Sequence, residues 1–345
     1  MPVTVLYPEE RQIPDDSLER EIFGPEVRIL RRTVKSLADL NPAECAVVDG
    51  LMIMRYAVTA EDLERFPRLR AIVRMGVGYD KIARPAAAAR NILVCNVPDY
   101  GTTEVADHAM ALAVALRRGV ILYHERQRQS PPAPWGPVKG ELIRRFGVQT
   151  FGIVGLGRIG TAVALRARAF GFHVVFFDPY LPNGADLALG ITRAASLQDL
   201  LRQTDTLSVH TPLTHETLGM LGYAELALLR QGAVVVNTAR GPIIDLDGLL
   251  SLLRDGHIAA AGLDVLPTEP PVEPIPELLR AYRAREPWLE GRLVVTPHAA
   301  WFTPESEHDT RVESAETMRA AADQPAPKRH HSGNVLIKGE QNSII

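Results

Sequence analysis

The segment Gly155-Leu156-Gly157-Arg158-Ile159-Gly160 follows the apolar run Phe151-Gly152-Ile153-Val154 and opens a helical pattern, and an acid, Asp178, ends the next apolar run. Each glycine there has its own physical task. Gly155 permits a tight turn, Gly157 lets backbone N–H groups approach a pyrophosphate, and Gly160 lets a helix pack close to the strand. The helix start at Arg158 and Ile159 then offers free N–H donors and the positive end of its dipole to phosphates. Asp178 can accept hydrogen bonds from both hydroxyls of an adenosine ribose. A 2′-phosphate at that point would meet a like charge, and Pro179 and Tyr180 bring no cation to offset it. The pattern reads as an NAD site in preference to an NADP site.

Three further segments each end a predicted strand, and open α/β sheets place their ligands at that edge. They are Val236-Asn237-Thr238-Ala239-Arg240-Gly241, then Gly262-Leu263-Asp264-Val265 with Glu269 beyond it, then Val295-Thr296-Pro297-His298-Ala299-Ala300-Trp301. Taken singly, an Arg at a strand end is usually a surface charge, a Glu before Pro270-Pro271 a solvated loop acid, and a lone His a structural one. Converging on a nicotinamide, they make a reducing site for a keto acid. Arg240 would hold the substrate carboxylate and polarise its carbonyl through charge-assisted hydrogen bonds. His298 would donate a proton to the carbonyl oxygen as hydride reaches the carbon. Glu269 would orient the imidazole and favour its protonated form.

The elements that must position these residues follow from apolar patterning. At 345 residues the chain suits two domains. In the first hundred residues, strands are expected at Val3–Tyr7, Cys45–Asp49, Ala71–Met75 and Leu93–Val97, with Thr59-Ala60-Glu61-Asp62 as a capping box opening a helix. A helix from Glu104 to about Gln127 comes next, then the proline-rich loop 130–137, which no regular element survives. A second alternating series has strands at Gln149–Val154, His173–Asp178, Thr206–His210, Ala233–Thr238, Ala259–Val265 and Leu293–Thr296, with helices between. Strands alternating with helices argue for parallel sheets covered on both faces, and six such strands fit a doubly wound nucleotide-binding domain.

Composition narrows the function classes. A formal charge of −3 leaves no basic stripe for nucleic acid. No apolar stretch is long enough to span a bilayer. The N-terminus lacks the basic and small-residue signature of a secretory leader, so a cytoplasmic protein is expected. Cys45 and Cys95 lie in apolar runs and read as buried thiols rather than a disulfide or a metal pair. No resident metal is expected, and His330-His331 reads as part of a solvated tail.

The motifs, in their order, resemble the D-isomer-specific 2-hydroxyacid dehydrogenases. The resemblance rests on Arg74-Met75-Gly76-Val77-Gly78-Tyr79-Asp80, Asn96-Val97-Pro98, the helix start at Thr102 to Asp107, the glycine fingerprint, Asn237-Thr238-Ala239-Arg240-Gly241, Gly262-Leu263-Asp264-Val265 and Thr296-Pro297-His298. It implies two Rossmann-like domains: a doubly wound NAD-binding domain (102–299) inserted into a flavodoxin-like substrate domain (1–101 and 300–325), with 326–345 as a tail. It further implies that Arg240, Glu269 and His298 are the catalytic set and that backbone amides around Gly76, Val77 and Gly78 bind the substrate carboxylate. Thr102, Val105, Thr211-Pro212-Leu213 and Thr238-Ala239 would line the cofactor, and Asp264 would bond the nicotinamide carboxamide. Members are commonly homodimers acting on a small 2-oxo or 2-hydroxy acid.

The aromatic pair Trp301-Phe302 and the Arg-Met-Gly-Val-Gly-Tyr-Asp stretch are similar to the carboxy-terminal binding protein branch, in which Trp301 would touch substrate. That branch also contains NAD-sensing corepressors, so an NAD(H)-regulated binding protein stands as the alternative to an enzyme. The segment between Glu269 and His298 is longer than is usual in the family, and Leu278–Ala284 reads as an added helix.

Overall fold

The computed structural model describes residues 3–9 and 15–322. The polar tail expected at 326–345 lies outside the described residues. The described chain divides into two compact units, one from residues up to Gly101 together with those from Phe302 onward, the other Thr102–Trp301.

In the first unit five strands form one parallel sheet: β1 (Val3–Tyr7), β2 (Val27–Arg31), β3 (Gly50–Ile53), β4 (Ala71–Arg74) and β5 (Leu93–Asn96). Their order is β2-β1-β3-β4-β5, the flavodoxin-like arrangement. The inner strands are apolar on both faces, and Leu6, Leu51, Ile53, Ile72, Leu63 and Phe66 are fully buried in one core. Thr59 caps the helix Ala60–Glu64 with the reciprocal Thr59–Asp62 bonds of a capping box. The C-terminal helix Pro304–Ala322 closes the other face. Met318 sits so near Gly50 that a Cβ there would lie 2.6 Å from its sulfur. Arg311 pairs with the buried carboxylate of Glu19 at 2.8 Å and ties this helix to Ser17–Phe23.

Two expectations for this unit require correction. Cys45–Asp49 is not a strand: Asn41 caps a short helix over Pro42–Cys45, and the strand begins at Gly50. Pro42 at the first helical position and the Asn41 cap outweigh the apolar run that follows. The edge strand β2, with exposed Arg28, is an addition to the expected set, because it lacks the apolar density that marks its neighbours.

The second unit holds seven parallel strands: β6 (Thr150–Val154), β7 (His173–Phe177), β8 (Thr192–Arg193), β9 (Thr206–Val209), β10 (Ala233–Asn237), β11 (Ile258–Leu263) and β12 (Leu293–Val295). Their order is β12-β11-β10-β9-β6-β7-β8. Strand order reverses between β6 and β9, and a doubly wound sheet binds its ligand outside the strand C-termini at that point. The two-residue edge strand β8 is too short to show a period, so six strands were expected and seven are found.

The expected long helix is two, Thr102–Arg117 and Val120–Gln127, broken where Gly119 takes a left-handed φ of 65°. The first packs on β10 and β11, where glycine at 262 leaves room for Leu112. Its last residue, Arg117, is fully buried and donates to Thr206 Oγ1 and to the carbonyls of Gly232 and Asp205. Burial lowers its pKa to about 10, so it stays protonated at neutral pH while satisfying three buried acceptors. Residues 130–137 form an irregular loop with Trp135 exposed, and the added helix stands at Glu277–Arg283. Among the described residues no helix is long and apolar enough to cross a membrane.

Candidate active site

All the loops that carry functional side chains in the second unit leave the C-terminal ends of its strands. After β6 the chain turns at Gly155, where φ is 86° and a Cβ would lie 2.9 Å from the backbone of His210 and Thr211. That close approach places the Thr211–Pro212 loop after β9 against the glycine turn. At Gly160 a Cβ would lie 2.1 Å from the Gly155 carbonyl oxygen, so only glycine lets the helix Arg158–Ala169 start this near the strand. At Gly157, by contrast, a Cβ would meet nothing within 4 Å, and no side chain caps the helix it begins. Open space in front of an uncapped helix N-terminus suits a phosphate.

Asp178 follows β7. Its two carboxylate oxygens accept from the backbone N–H groups of Leu156 (2.9 Å) and Tyr180 (3.0 Å). These bonds fix the carboxylate beside the glycine turn and leave each oxygen further lone-pair capacity for a ribose hydroxyl. Thr102 Oγ1 and Thr238 Oγ1 are both buried without a protein hydrogen-bond partner. A dinucleotide, rich in hydroxyl, amide and phosphate groups, would satisfy such atoms. The residues present therefore fit the group that the glycine motif implies.

His210, at the end of β9, carries no signal in the sequence that sets it apart. Its Nε2 lies 2.7 Å from Ser208 Oγ, and desolvation pushes its pKa well down, so the ring is neutral beside the turn.

The three loops after β10, β11 and β12 bring the ionisable set together. At Gly241 a Cβ would lie 2.0 Å from the backbone carbon of Leu266, so glycine alone lets the Arg240 loop lie against the loop carrying Glu269. Asn237 braces this loop from both sides, with Nδ2 donating to the Arg240 carbonyl (2.9 Å) and Oδ1 accepting from Ala239 N–H (3.0 Å). The Arg240 guanidinium donates to the Ala239 carbonyl at 2.8 Å.

Glu269 Oε1 accepts from Leu266 N–H at 2.8 Å, and its Oε2 accepts from His298 Nδ1 at 2.6 Å. Because an ionised carboxylate only accepts, the proton lies on Nδ1, and Nε2 is left for chemistry. Burial raises the Glu269 pKa. The hydrogen bond and charge of His298, the Leu266 N–H and the nearby Arg240 together outweigh burial and hold the carboxyl below its ordinary range.

His298 has a left-handed backbone, φ 55°. Such a conformation in a non-glycine residue persists when its surroundings over-determine it. Here they do. His298 N–H donates to the Asp264 and Thr296 carbonyls (2.8 and 3.1 Å). The buried Asp264 carboxylate accepts from Thr296 Oγ1 (2.5 Å), Ala299 N–H (2.9 Å) and Ala300 N–H (3.0 Å). Sequence reasoning assigns Asp264 to the nicotinamide carboxamide; its carboxylate spends three of about four acceptor positions on the His298 loop. Thr296 and His108, which lies 3.0 Å from Thr296 Oγ1, are further residues that sequence reasoning misses as contributors to the site. His108 is one polar residue within an apolar helical pattern, and nothing in its spacing sets it apart. Trp301 closes this segment, partly buried.

In the first unit, Gly76, Val77 and Gly78 leave the C-terminal end of β4. Gly76 has φ 141°, and a Cβ there would collide with the Arg74 guanidinium and approach Tyr100 Oη at 2.9 Å. Asn96 Nδ2 donates to the Val77 carbonyl at 2.7 Å and holds the loop.

A glycine-turn α/β unit with an imidazole–carboxylate pair beside a guanidinium defines a class, the units that hold a dinucleotide next to acid–base side chains. The comparisons narrow it. Residues 110–300 match the D-isomer specific 2-hydroxyacid dehydrogenase, NAD binding domain family, and the chain belongs to that family. The D-3-phosphoglycerate dehydrogenase of Mycobacterium leprae is 38% identical over 273 residues, 78% of this chain and 48% of the relative. The chain thus spans about half the length of the curated relatives it matches.

A Thermus thermophilus protein of known structure superposes with a TM-score of 0.76 at 30% identity, covering 93% of this chain and 96% of that one. An NADPH-dependent glyoxylate/hydroxypyruvate reductase from Sinorhizobium meliloti, solved with NADP and malonate, superposes with a TM-score of 0.75 at 28% identity, covering 92% and 93%.

Proposed function

We propose that this protein interconverts a 2-oxo acid and a (D)-2-hydroxy acid, with NAD(H) as the hydride carrier. The observation that carries the reading is the 2.6 Å His298–Glu269 pair beside Arg240 at the C-terminal edge of the NAD-binding sheet.

The bound nicotinamide supplies or accepts the hydride. In the reducing direction His298 Nε2 gives its proton to the carbonyl oxygen as the carbon gains the hydride, so the C=O bond becomes CH–OH. Glu269 stabilises the imidazolium before that transfer and holds Nε2 toward the substrate. Arg240 binds the substrate carboxylate and stabilises charge on the carbonyl oxygen. The backbone amides at Gly76, Val77 and Gly78 and the Trp301 side chain complete the proposed substrate-binding set.

Along the cofactor, Gly155, Gly157, Arg158, Ile159 and Gly160 receive the pyrophosphate, Asp178 the adenosine ribose, and Thr102, Val105, Thr211, Pro212, Thr238, Ala239 and Asp264 the remainder. Asp178 favours NADH over NADPH by like-charge repulsion of a 2′-phosphate. By the family resemblance the protein works in the cytoplasm as a homodimer. The S. meliloti protein is a glyoxylate/hydroxypyruvate reductase, which points to small 2-oxo acids as the substrate class.

The test is a panel of glyoxylate, hydroxypyruvate, pyruvate and bulkier 2-oxo acids with NADH and NADPH side by side. Turnover of at least one acid, faster with NADH, is expected. NADH binding without turnover of any of them would defeat the reading.

A further inference from the structure

Thr296 Oγ1 lies 2.5 Å from Asp264 Oδ1 and 3.0 Å from His108 Nε2. A carboxylate oxygen only accepts, so the single hydroxyl proton of Thr296 goes to Asp264. The same hydroxyl must then accept from His108, which places a proton on His108 Nε2. The result is a directed chain, His108 N–H to Thr296 O–H to Asp264 carboxylate. The carboxylate then grips the backbone N–H groups of Ala299 and Ala300, on the far side of His298. Thr296 stands two residues before His298 and Ala299 one after it, so the chain brackets the left-handed residue at both ends. His108 also carries a second attraction to the buried carboxylate, at 3.8 Å. It projects from the helix Thr102–Arg117, which is packed on β10 and β11, so the bracket is anchored to a rigid element rather than to another loop.

We propose that His108 and Thr296 are positioning residues that hold His298 in its left-handed, proton-donating geometry by fixing the Asp264 carboxylate. The inference rests on His298 being the acid and extends it to two residues outside the catalytic set. Removing the Thr296 hydroxyl leaves Asp264 Oδ1 short of one donor and His108 Nε2–H without its acceptor. The loop can then relax toward ordinary φ values and carry the imidazole away. A displacement of about 1 Å at a reacting group costs on the order of 100-fold in rate.

The experiment measures steady-state kinetics on a 2-oxo acid turned over by the wild type, NADH affinity by fluorescence and thermal stability. His298→Asn comes first. If it keeps wild-type turnover, the acid assignment fails and the inference falls with it. With His298→Asn inactive, Thr296→Val is expected to lower kcat by roughly 10–100-fold with NADH affinity within about threefold, and Thr296→Ser, which restores the hydroxyl, to recover most of the loss. His108→Phe is expected to lower kcat by several-fold, and His108→Gln, whose amide can still donate, to recover it. The double variant His108→Phe with Thr296→Val should be no worse than Thr296→Val alone, because both break one chain. Thr296→Val turning over within about twofold of wild type, or Thr296→Ser failing to rescue a folded protein, would overturn the proposal.

Discussion

The two parallel sheets of this chain end in loops built for different work. In the five-stranded unit the loop after β4 at the C-terminal edge, Gly76, Val77 and Gly78, presents backbone that glycine stereochemistry and one asparagine hold in place, with the Arg74 guanidinium packed against Gly76. In the seven-stranded unit the same edge presents ionisable side chains, and the glycines serve to bring loops together. Gly241 admits the Leu266 backbone, and Gly155 admits that of His210 and Thr211. Loops at the same edge of one topology class thus present peptide groups after β4 and a guanidinium, a carboxylate and an imidazole after β10, β11 and β12. Strand order fixes where a ligand goes, and the loop side chains decide whether chemistry happens there.

Substitutions can break that contrast, and their expected effects descend in size. His298→Asn should lower kcat by about 100- to 10,000-fold, the range of general acid catalysis, with NADH affinity by fluorescence unchanged. Arg240→Gln should lower kcat/KM by roughly 100-fold through loss of charge-assisted bonds to the substrate, with stability preserved. Asp178→Ser should narrow the NADH-over-NADPH preference by about 10-fold, measured as a ratio of kcat/KM values, because it removes the like charge.

In the backbone-presenting loop, Gly76→Ala should cost about 1–3 kcal/mol of stability in urea melts, since φ 141° suits only glycine. A Gly76→Ala protein as stable as wild type would remove the contrast between the two edges.

The smallest effect concerns pH. The Glu269 carboxyl is held below its ordinary value of 4.5 in the folded protein. A depressed folded-state value means that the stabilisation is complete above the unfolded value and lost as pH falls through the folded one. The Glu269 carboxylate's contribution to the stability difference between wild type and Glu269→Gln should therefore shrink as pH falls below about 4.5. A difference that grows on acidification would show that His298 and Glu269 do not pair in the folded state.

Much of this was legible in the sequence. Apolar patterning places β1 at its observed bounds and β6, β7, β9 and β10 within one residue of theirs, because buried strands carry a strong apolar signal. It misses β2 and β8, whose edge positions bury too little to leave one, and misreads Cys45–Asp49, where a proline and an asparagine cap decide locally. The glycine fingerprint and the Arg240, Glu269 and His298 candidates could be named because they fall at or just beyond the ends of successive predicted strands of one sheet and because the motifs around them, in order, resemble one family. His108, Thr296 and His210 could not. Their types are ordinary, and their partners can lie far along the chain, with the two ends of the His108–Thr296 bond 188 positions apart.

The order of residues along the chain, then, determined the parallel α/β architecture, the dinucleotide motif and the identities of the ionisable groups, all of which are written in local spacing and stereochemistry. The tertiary structure alone decided which nitrogen of His298 faces Glu269, that Asp264 is committed to the His298 loop, and that His108 closes the chain behind it. Those facts depend on directional bonds between segments far apart in sequence, and only the packed fold brings their donors and acceptors to about 3 Å.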